Sequence, residues 1–338
     1  MPKEPIILGI ESSCDDTSAA IIHGRRILSN EIATQEVHSI YGGVVPELAS
    51  RAHQQNIIPV VDTAIRKANI SKEDIDAVAF TQGPGLLGSL LVGSSFAKSY
   101  AMGMGIPLIT VNHMQAHILS HFIDEGKVVP KFPFLCLTVS GGHTQIVRVE
   151  SHSNMKVIGT TIDDAAGEAF DKSAKILQLS YPGGPLIDKY AKGGNIHAFK
   201  FGKPKVKDLD FSFSGLKTSI LYKIQDSVQK NPKFIQEHLG DLCASIQYSI
   251  VNILLEKIQK AIYKTGIKEI AIAGGVSANS FLRSELQKLA DEKKINLYIP
   301  KFEYCTDNAA MIAISGYFKY LEKEFASQNE VPSASLSF

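Results

Sequence analysis

One plan occurs twice along the chain, and this repeat limits the fold more than any other sequence feature. In the first half, apolar runs on either side of a polar turn predict a β-hairpin over 6–22. A helical period follows over 57–69, and the apolar run 77–81 predicts a buried strand. This strand leads through Gly83-Pro84-Gly85 into a long helix that starts at about Leu86.

The second half repeats the order of the first. Two alternating runs, 134–139 and 144–149, flank a Gly-Gly turn, which is a strong hairpin signal. The apolar run 270–273 then leads through Gly274-Gly275 into a helix over 280–292. Two such halves predict an α/β protein with duplicated lobes that face each other across a cleft.

No low-complexity segment or proline-rich linker divides the chain into its two lobes. We place an N-terminal lobe at 1–120 and a C-terminal lobe at 121–307, with a Gly- and Lys-rich excursion at 183–214. The helical stretch 308–325 is expected to pack back on the first lobe. The last residues, 326–338, are expected to be frayed.

Bulk properties describe an ordinary globular protein. The 338 residues are 44% hydrophobic and 20% charged, with a net charge of +1, so an RNA ligand would need a local basic patch or a partner's surface. The four cysteines form no C-x-x-C pair, which favours a reducing compartment and a cytoplasmic protein. The most apolar stretch, 86–106, is interrupted by serines and Lys98 and predicts a buried helix, so no membrane association is expected.

Two histidines form the first candidate site. On a helix, His113 and His117 would lie one turn apart on the same face, where they could share a metal ion. Asp307, in a turn before the last helix, is the candidate third ligand, although an aspartate there also suits a helix cap. Isolated histidines at this spacing are often ordinary core or surface residues. A zinc protease is disfavoured because Met114 stands where His-Glu-x-x-His requires glutamate.

Glycine turns form the second candidate site. Ser140-Gly141-Gly142, Gly83-Pro84-Gly85 and Gly274-Gly275 could each direct backbone N–H groups at anionic oxygens. Each could equally be a plain turn. Three of them in equivalent places of two similar halves favour a nucleotide or phosphate-ester ligand.

Charged residues near these turns have two interpretations. Asp15 and Asp16, with Glu11 before them, could hold a metal or act as a base, or could simply favour the hairpin turn. The acidic run 163–172 and Asp188 could stabilise helix starts or receive ligand hydroxyls. Four lysines within the excursion are either a solvated face or contacts for RNA phosphates: Lys200, Lys203, Lys205 and Lys207.

Six motifs together resemble the TsaD family of tRNA threonylcarbamoyladenosine transferases. They span nearly the whole chain and read GIESSCDDT (9–17), GGVVPELASR (42–51), HMQAH (113–117), VSGGHT (139–144), FSGLKT (213–218) and GGVSAN (274–279). Asp16, Gln115 and Ala116 stand where some relatives have Glu, Glu and Gly.

The resemblance implies a two-lobed fold of the actin, Hsp70 and sugar-kinase (ASKHA) type. It implies transfer of the threonylcarbamoyl group of threonylcarbamoyl-AMP to the exocyclic amine of the adenosine 3′ of the tRNA anticodon. The implied partners, besides tRNA, are the proteins TsaB and TsaE. A kinase or ATPase of the same fold and a non-catalytic scaffold remain alternatives, and neither needs the His-His-Asp set.

The resemblance also assigns residues to roles. His113, His117 and Asp307 match the metal ligands, for Fe²⁺ or alternatively Zn²⁺, and Asp15 matches the residue proposed to be catalytic. The positions that match substrate-binding residues are Thr138, Val139, Ser140, Gly141, Gly142, Asp171, Gly184, Asp188 and Asn279.

Overall fold

The computed structural model describes residues 4–204 and 206–338, so Lys205 of the lysine cluster lies outside the described residues. The chain divides into two compact units. Unit 1 comprises the described part of Met1–Pro130 together with Glu150–Met155 and Pro300–Phe338. Unit 2 comprises Lys131–Val149 and Lys156–Ile299. Residues 121–130, 150–155 and 300–307 thus belong to unit 1, whereas the sequence analysis placed them in the C-terminal lobe.

Unit 1 contains a five-stranded sheet in the order β3-β2-β1-β4-β5. Strand β1 pairs antiparallel with β2, and β2 with β3, whereas β1, β4 and β5 run parallel. The central strand β1 is buried along its whole length, which explains its continuous apolar sequence. The strands are β1 (Ile6–Glu11), β2 (Thr17–His23), β3 (Arg26–Ala33), β4 (Ala77–Gly83) and β5 (Leu108–Asn112).

Unit 2 repeats this sheet order, β8-β7-β6-β9-β10. Strand β6 pairs antiparallel with β7 and parallel with β9, and β9 pairs parallel with β10. The strands are β6 (Phe134–Val139), β7 (Thr144–Val149), β8 (Met155–Thr160), β9 (Glu269–Ala273) and β10 (Asn296–Tyr298). Both hairpins and the α/β class predicted from sequence are therefore confirmed.

Ten α-helices are present among the described residues. They are α1 (His38–Tyr41), α2 (Pro46–Ala68), α3 (Leu87–Met104), α4 (His113–Leu119), α5 (Ala166–Ile176), α6 (Gly183–Tyr190), α7 (Ser214–Lys230), α8 (Phe234–Thr265), α9 (Ser280–Lys293) and α10 (Ala309–Glu322). Helix α10 packs on β1 and β2, in the core of unit 1. None of the described helices is long and apolar enough to cross a bilayer.

Two sequence expectations about these elements were wrong. Helix α2 begins at Pro46, eleven residues before the expected start at 57, because a proline at the first helical position is already set for helix. The tail 326–338 is docked on unit 1 instead of frayed. Its Ala326 N–H donates to Leu108 O at 2.7 Å, so the tail covers part of the edge strand β5.

Candidate metal centre and nucleotide site

Asn112 starts the short helix that carries both histidines. Its side-chain Oδ1 accepts hydrogen bonds from the backbone N–H groups of Met114 (2.9 Å) and Gln115 (3.2 Å), which caps α4 at the end of β5. The helix therefore begins at His113, and His117 follows one turn later. Their rings meet edge to face at 4.8 Å.

Asp307 completes the group from a distant part of the sequence. Its Oδ1 lies 3.4 Å from His113 Nε2 and 3.2 Å from His117 Nε2. The potential ligand atoms of the three residues all lie within 4.8 Å of one another. The predicted His-His-Asp set is thus brought together within unit 1.

The two distances from Asp307 to the histidine nitrogens fit a divalent transition metal. Bonds of ~2.0–2.2 Å at tetrahedral angles hold ligand atoms ~3.3–3.5 Å apart, close to the two distances from Asp307. Two imidazoles and one carboxylate suit Fe²⁺ and Zn²⁺ better than Mg²⁺ or Ca²⁺.

Glu11 is a functional residue that the sequence analysis did not connect with the histidines. Its Oε2 lies 3.0 Å from His113 Nδ1 and accepts a hydrogen bond from Thr81 Oγ1 at 2.6 Å. Its Oε1 accepts from Ser13 N–H at 2.5 Å, and the side chain is fully buried. A carboxylate on Nδ1 fixes the ring so that Nε2 faces Asp307, as in many metal-bound histidines. An acid at the end of the buried strand β1 was the available signal.

The charges of this group favour a cation. Burial lowers the pKa of His113, but the carboxylates of Asp307 and Glu11 outweigh it and raise that pKa well above its usual value. For Asp307 and Glu11, burial raises the pKa, yet the neighbouring His113 lowers both below their usual values. A positive charge at this point is therefore stabilised from two sides.

Asp15 and Asp16 lie in the turn between β1 and β2. Burial, followed by the charge of Asp15, raises the pKa of Asp16 to about 7. Its Oδ1 is buried and has no hydrogen-bond partner among the described residues. Asp15 is not part of the His-His-Asp group, and its catalytic role stays a prediction.

The predicted substrate-binding residues of unit 2 are linked in a ring of contacts. The N–H of Gly167, in α5, donates to Ser140 O at 3.2 Å, and Asp171 on the same helix accepts from Gly184 N–H at 3.1 Å. Helix α6 then carries Asp188, whose carboxylate accepts from Ser280 Oγ at 2.7 Å, next to Asn279.

Close backbone packing closes the ring between β9 and β6. A Cβ on Gly274 would lie only 2.6 Å from Val139 O, and the φ of Gly274 is +87°, so only glycine suits this position. Thr138 and Val139 are fully buried, so their side chains are not exposed to a ligand. The side chain of Asn279 caps α9 through Leu282 N–H and donates to Gln247 Oε1 at 2.8 Å.

Two of the glycine turns differ in whether their backbone N–H groups already have a hydrogen-bond acceptor. Gly141 and Gly142 face open space, and among the described residues their N–H groups donate to nothing. In the turn over 83–85, by contrast, Gly85 N–H donates to Ala334 O of the docked tail at 3.2 Å. The expectation of an anion site at 83–85 is therefore not supported, because the tail occupies that N–H group.

Comparison with solved structures identifies the class of fold to which the chain belongs. The chain superposes on HypF from T. kodakarensis with a TM-score of 0.61 at 13% identity, covering 97% of this chain and 49% of HypF. A full-length HypF in a phosphate- and nucleotide-bound form gives a TM-score of 0.61 at 14% identity, covering 95% of this chain and 47% of HypF. The fold is of the ASKHA type, as expected from sequence.

Within that class, the TsaD family model, described as tRNA N6-adenosine threonylcarbamoyltransferase, matches residues 26–314. A protein of that name from Christiangramia forsetii is 63% identical over 321 residues, covering 95% of this chain and 94% of the relative. Another, from Riemerella anatipestifer, is 62% identical and covers 98% of both chains. The chain belongs to the TsaD family.

Proposed function

We propose that this chain is an acyltransferase that modifies tRNA. It transfers the threonylcarbamoyl group of threonylcarbamoyl-AMP to the exocyclic amine of the adenosine 3′ of the anticodon, in tRNAs that read codons beginning with adenine. The observation that carries this proposal is the convergence of His113, His117 and Asp307, which a kinase or a scaffold would not need.

The ring of residues in unit 2 would hold the adenylate part of the donor. The N–H groups of Gly141 and Gly142, which have no acceptor within the described part of the chain, are suited to its phosphate. The carboxylates of Asp171 and Asp188 are suited to ribose hydroxyls, and Asn279 to the adenosine. Thr138, Val139, Ser140 and Gly184 would shape this site through their backbone.

His113, His117 and Asp307 would hold one divalent ion per chain, Fe²⁺ in our proposal, with Zn²⁺ as the alternative. Such an ion supplies Lewis acidity toward a carbonyl oxygen. Glu11 keeps His113 in the orientation that presents Nε2, and Asn112 fixes the start of the helix that carries both histidines.

Asp15 is the proposed proton acceptor. The adenosine amine forms a bond to the carbamoyl carbon, the bond from that carbon to the phosphate oxygen breaks, and AMP leaves. The proton lost by the amine would pass to Asp15, at the turn between β1 and β2.

A near-neutral chain is expected to share tRNA binding with partners, for which we propose TsaB and the ATPase TsaE. Helices α2 and α3 expose large apolar side chains, which is typical of protein-binding surfaces: Ile58, Leu87, Leu91 and Met102. A cytoplasmic location would fit a tRNA substrate.

The direct test is to incubate the protein and its proposed partners with tRNA and threonylcarbamoyl-AMP, digest the tRNA and identify its nucleosides by mass spectrometry. We expect threonylcarbamoyladenosine with the wild-type chain and none with Asp307→Ala. Glu303→Ala, which changes an exposed acid in the same loop, is the matched control and should keep the product. Donor that persists unchanged beside unmodified tRNA would contradict the proposal.

A further inference from the structure

A cavity of about 310 Å³ lies in unit 2 and includes none of the residues assigned above to the donor. The segment 196–203 forms one wall and helix α8 the other, with side chains of Tyr248, Ser249 and Asn252. Small-ligand sites begin at about this size.

The walls of the cavity are aromatic and held in place. The rings of His197 and Tyr248 meet edge to face at 5.0 Å, and Phe199 packs against Phe234 at 5.7 Å. The segment is tied to the helices, because Phe199 N–H donates to Ser245 Oγ at 3.2 Å and Gly202 N–H to Ser219 Oγ at 2.7 Å. Flat aromatic walls suit the face of a nucleobase.

The rim of the cavity is basic. Lys200 and Lys203 both line it. Lys203 is paired with Glu256, whereas Lys200 is exposed and has no ion pair among the residues that the structure describes. Lys200 is thus available to a phosphate.

The basic character continues along the same helix. From Ser249 and Ile253, which also line the cavity, steps of three or four residues on α8 lead to Glu256, Lys260 and Lys264, so these side chains share one face. At 1.5 Å per residue the stripe from 249 to 264 is about 23 Å long.

Near the far end of this stripe, three lysines crowd around a single aspartate. Lys264 pairs with Asp208, Lys260 Nζ lies 3.5 Å from Asp208 Oδ1, and Lys257 Nζ donates to Asp208 O at 2.8 Å. Asp210 and Glu256 also lie near Lys257, so three carboxylates face four ammonium groups, those of Lys203, Lys257, Lys260 and Lys264, and this end retains one net positive charge.

We infer that the cavity binds one nucleobase of the RNA substrate, with the lysine stripe of α8 following the phosphates beside it. A base stacked on the ring of Tyr248 or His197 would place its phosphate near Lys200, and the next phosphates would meet the lysines of α8. This inference rests on the proposed function for the choice of RNA as ligand. An acidic protein segment would meet the lysines but has no need of the aromatic walls.

The experiment measures binding of a fluorescein-labelled anticodon stem-loop RNA to the full chain by anisotropy, at several salt concentrations. Tyr248→Leu keeps apolar bulk but loses the ring, and it should weaken binding about tenfold without changing the salt dependence. Lys200→Glu should weaken binding and reduce the salt slope by about one. Lys156→Glu, the same charge change on strand β8 away from the cavity, should leave binding unchanged.

Circular dichroism and thermal unfolding verify that each variant is folded. Wild-type affinity in Tyr248→Leu, or equal displacement of the RNA by polyglutamate and by an unlabelled stem-loop, would overturn the inference. Formation of threonylcarbamoyladenosine by the wild-type chain separates the two proposals. If it occurs while all variants bind like wild type, only the cavity inference fails; if it fails while binding depends on Tyr248, only the proposed function fails.

Discussion

Glu11 determines which nitrogen of His113 can bind a metal ion. Its carboxylate occupies the Nδ1 side of the ring, inside the core of unit 1. Glu11→Gln keeps the shape but removes the charge, so we expect metal affinity to fall about 10–100-fold. Competition with a chromophoric chelator for Zn²⁺ or Co²⁺ measures this affinity.

The matched control is Glu47→Gln, an exposed acid that pairs with Arg51 on α2. Its metal affinity should equal that of the wild-type chain. Equal affinity in Glu11→Gln would show that Glu11 does not position His113.

The raised pKa of Asp16 predicts that the stability of the folded chain depends on pH. The pKa of the Asp16 carboxyl is about 7 in the folded chain, against 3.8 for an unperturbed aspartate. Between these two pH values the folded state therefore keeps a proton that the unfolded state has released. Stability is therefore lost as the pH rises from about 4 to 7, and the loss is complete above 7. Asp16→Asn should stabilise the chain by about 1–2 kcal/mol at pH 8, after allowance for partial exposure, and by almost nothing at pH 4.

Urea unfolding of both proteins across this pH range tests the prediction. Asp62→Asn, in an exposed ion pair on α2, controls for the loss of a surface acid. A stabilisation of Asp16→Asn that stays constant with pH would show that the Asp16 carboxyl titrates normally.

The C-terminal tail behaves as a structural element of unit 1. Ser333 N–H donates to Gln82 O at 2.9 Å, and Asn112 Nδ2 donates to Ser337 O at 3.0 Å. The same Asn112 caps α4 through Oδ1. The tail therefore restrains the residue from which the histidine helix begins.

Removal of residues 331–338 should cost about 2–3 kcal/mol of stability, because it breaks several partly buried hydrogen bonds. Asn112→Asp retains the capping oxygen but loses the donor to Ser337, so it should cost about 1 kcal/mol in the full chain and little in the truncated one. Thermal unfolding of the four proteins measures both effects. Equal costs of Asn112→Asp in both backgrounds would show that the tail does not hold Asn112.

Local patterns predicted the elements of the fold well. The Gly-Gly turn predicted the hairpin of β6 and β7 with its strand limits. The spacing of the two histidines predicted that both lie on the same face of α4. The role of Glu11 could not be predicted in this way, because its contact with His113 joins residues 102 positions apart. The docking of the tail on Gly85 likewise depends on free backbone groups at a distant turn, which no local pattern reveals.

At the scale of the whole molecule, each unit contains one of the two groups of candidate site residues. Unit 1 contains the His-His-Asp group with Glu11, and unit 2 contains the ring from Ser140 to Asn279. Both are built at the ends of the parallel strands of similar sheets, so the duplicated plan of the sequence supplies two different candidate sites.

Metal reconstitution tests the central claim most directly. The chain is stripped with a chelator, supplied with partners, tRNA and threonylcarbamoyl-AMP, and titrated with Fe²⁺ under anaerobic conditions or with Zn²⁺, while threonylcarbamoyladenosine is quantified. We predict almost no product without metal and full activity at one equivalent per chain, with no recovery in His117→Ala. Full activity of the stripped chain, at a metal content confirmed to be negligible, would contradict the claim.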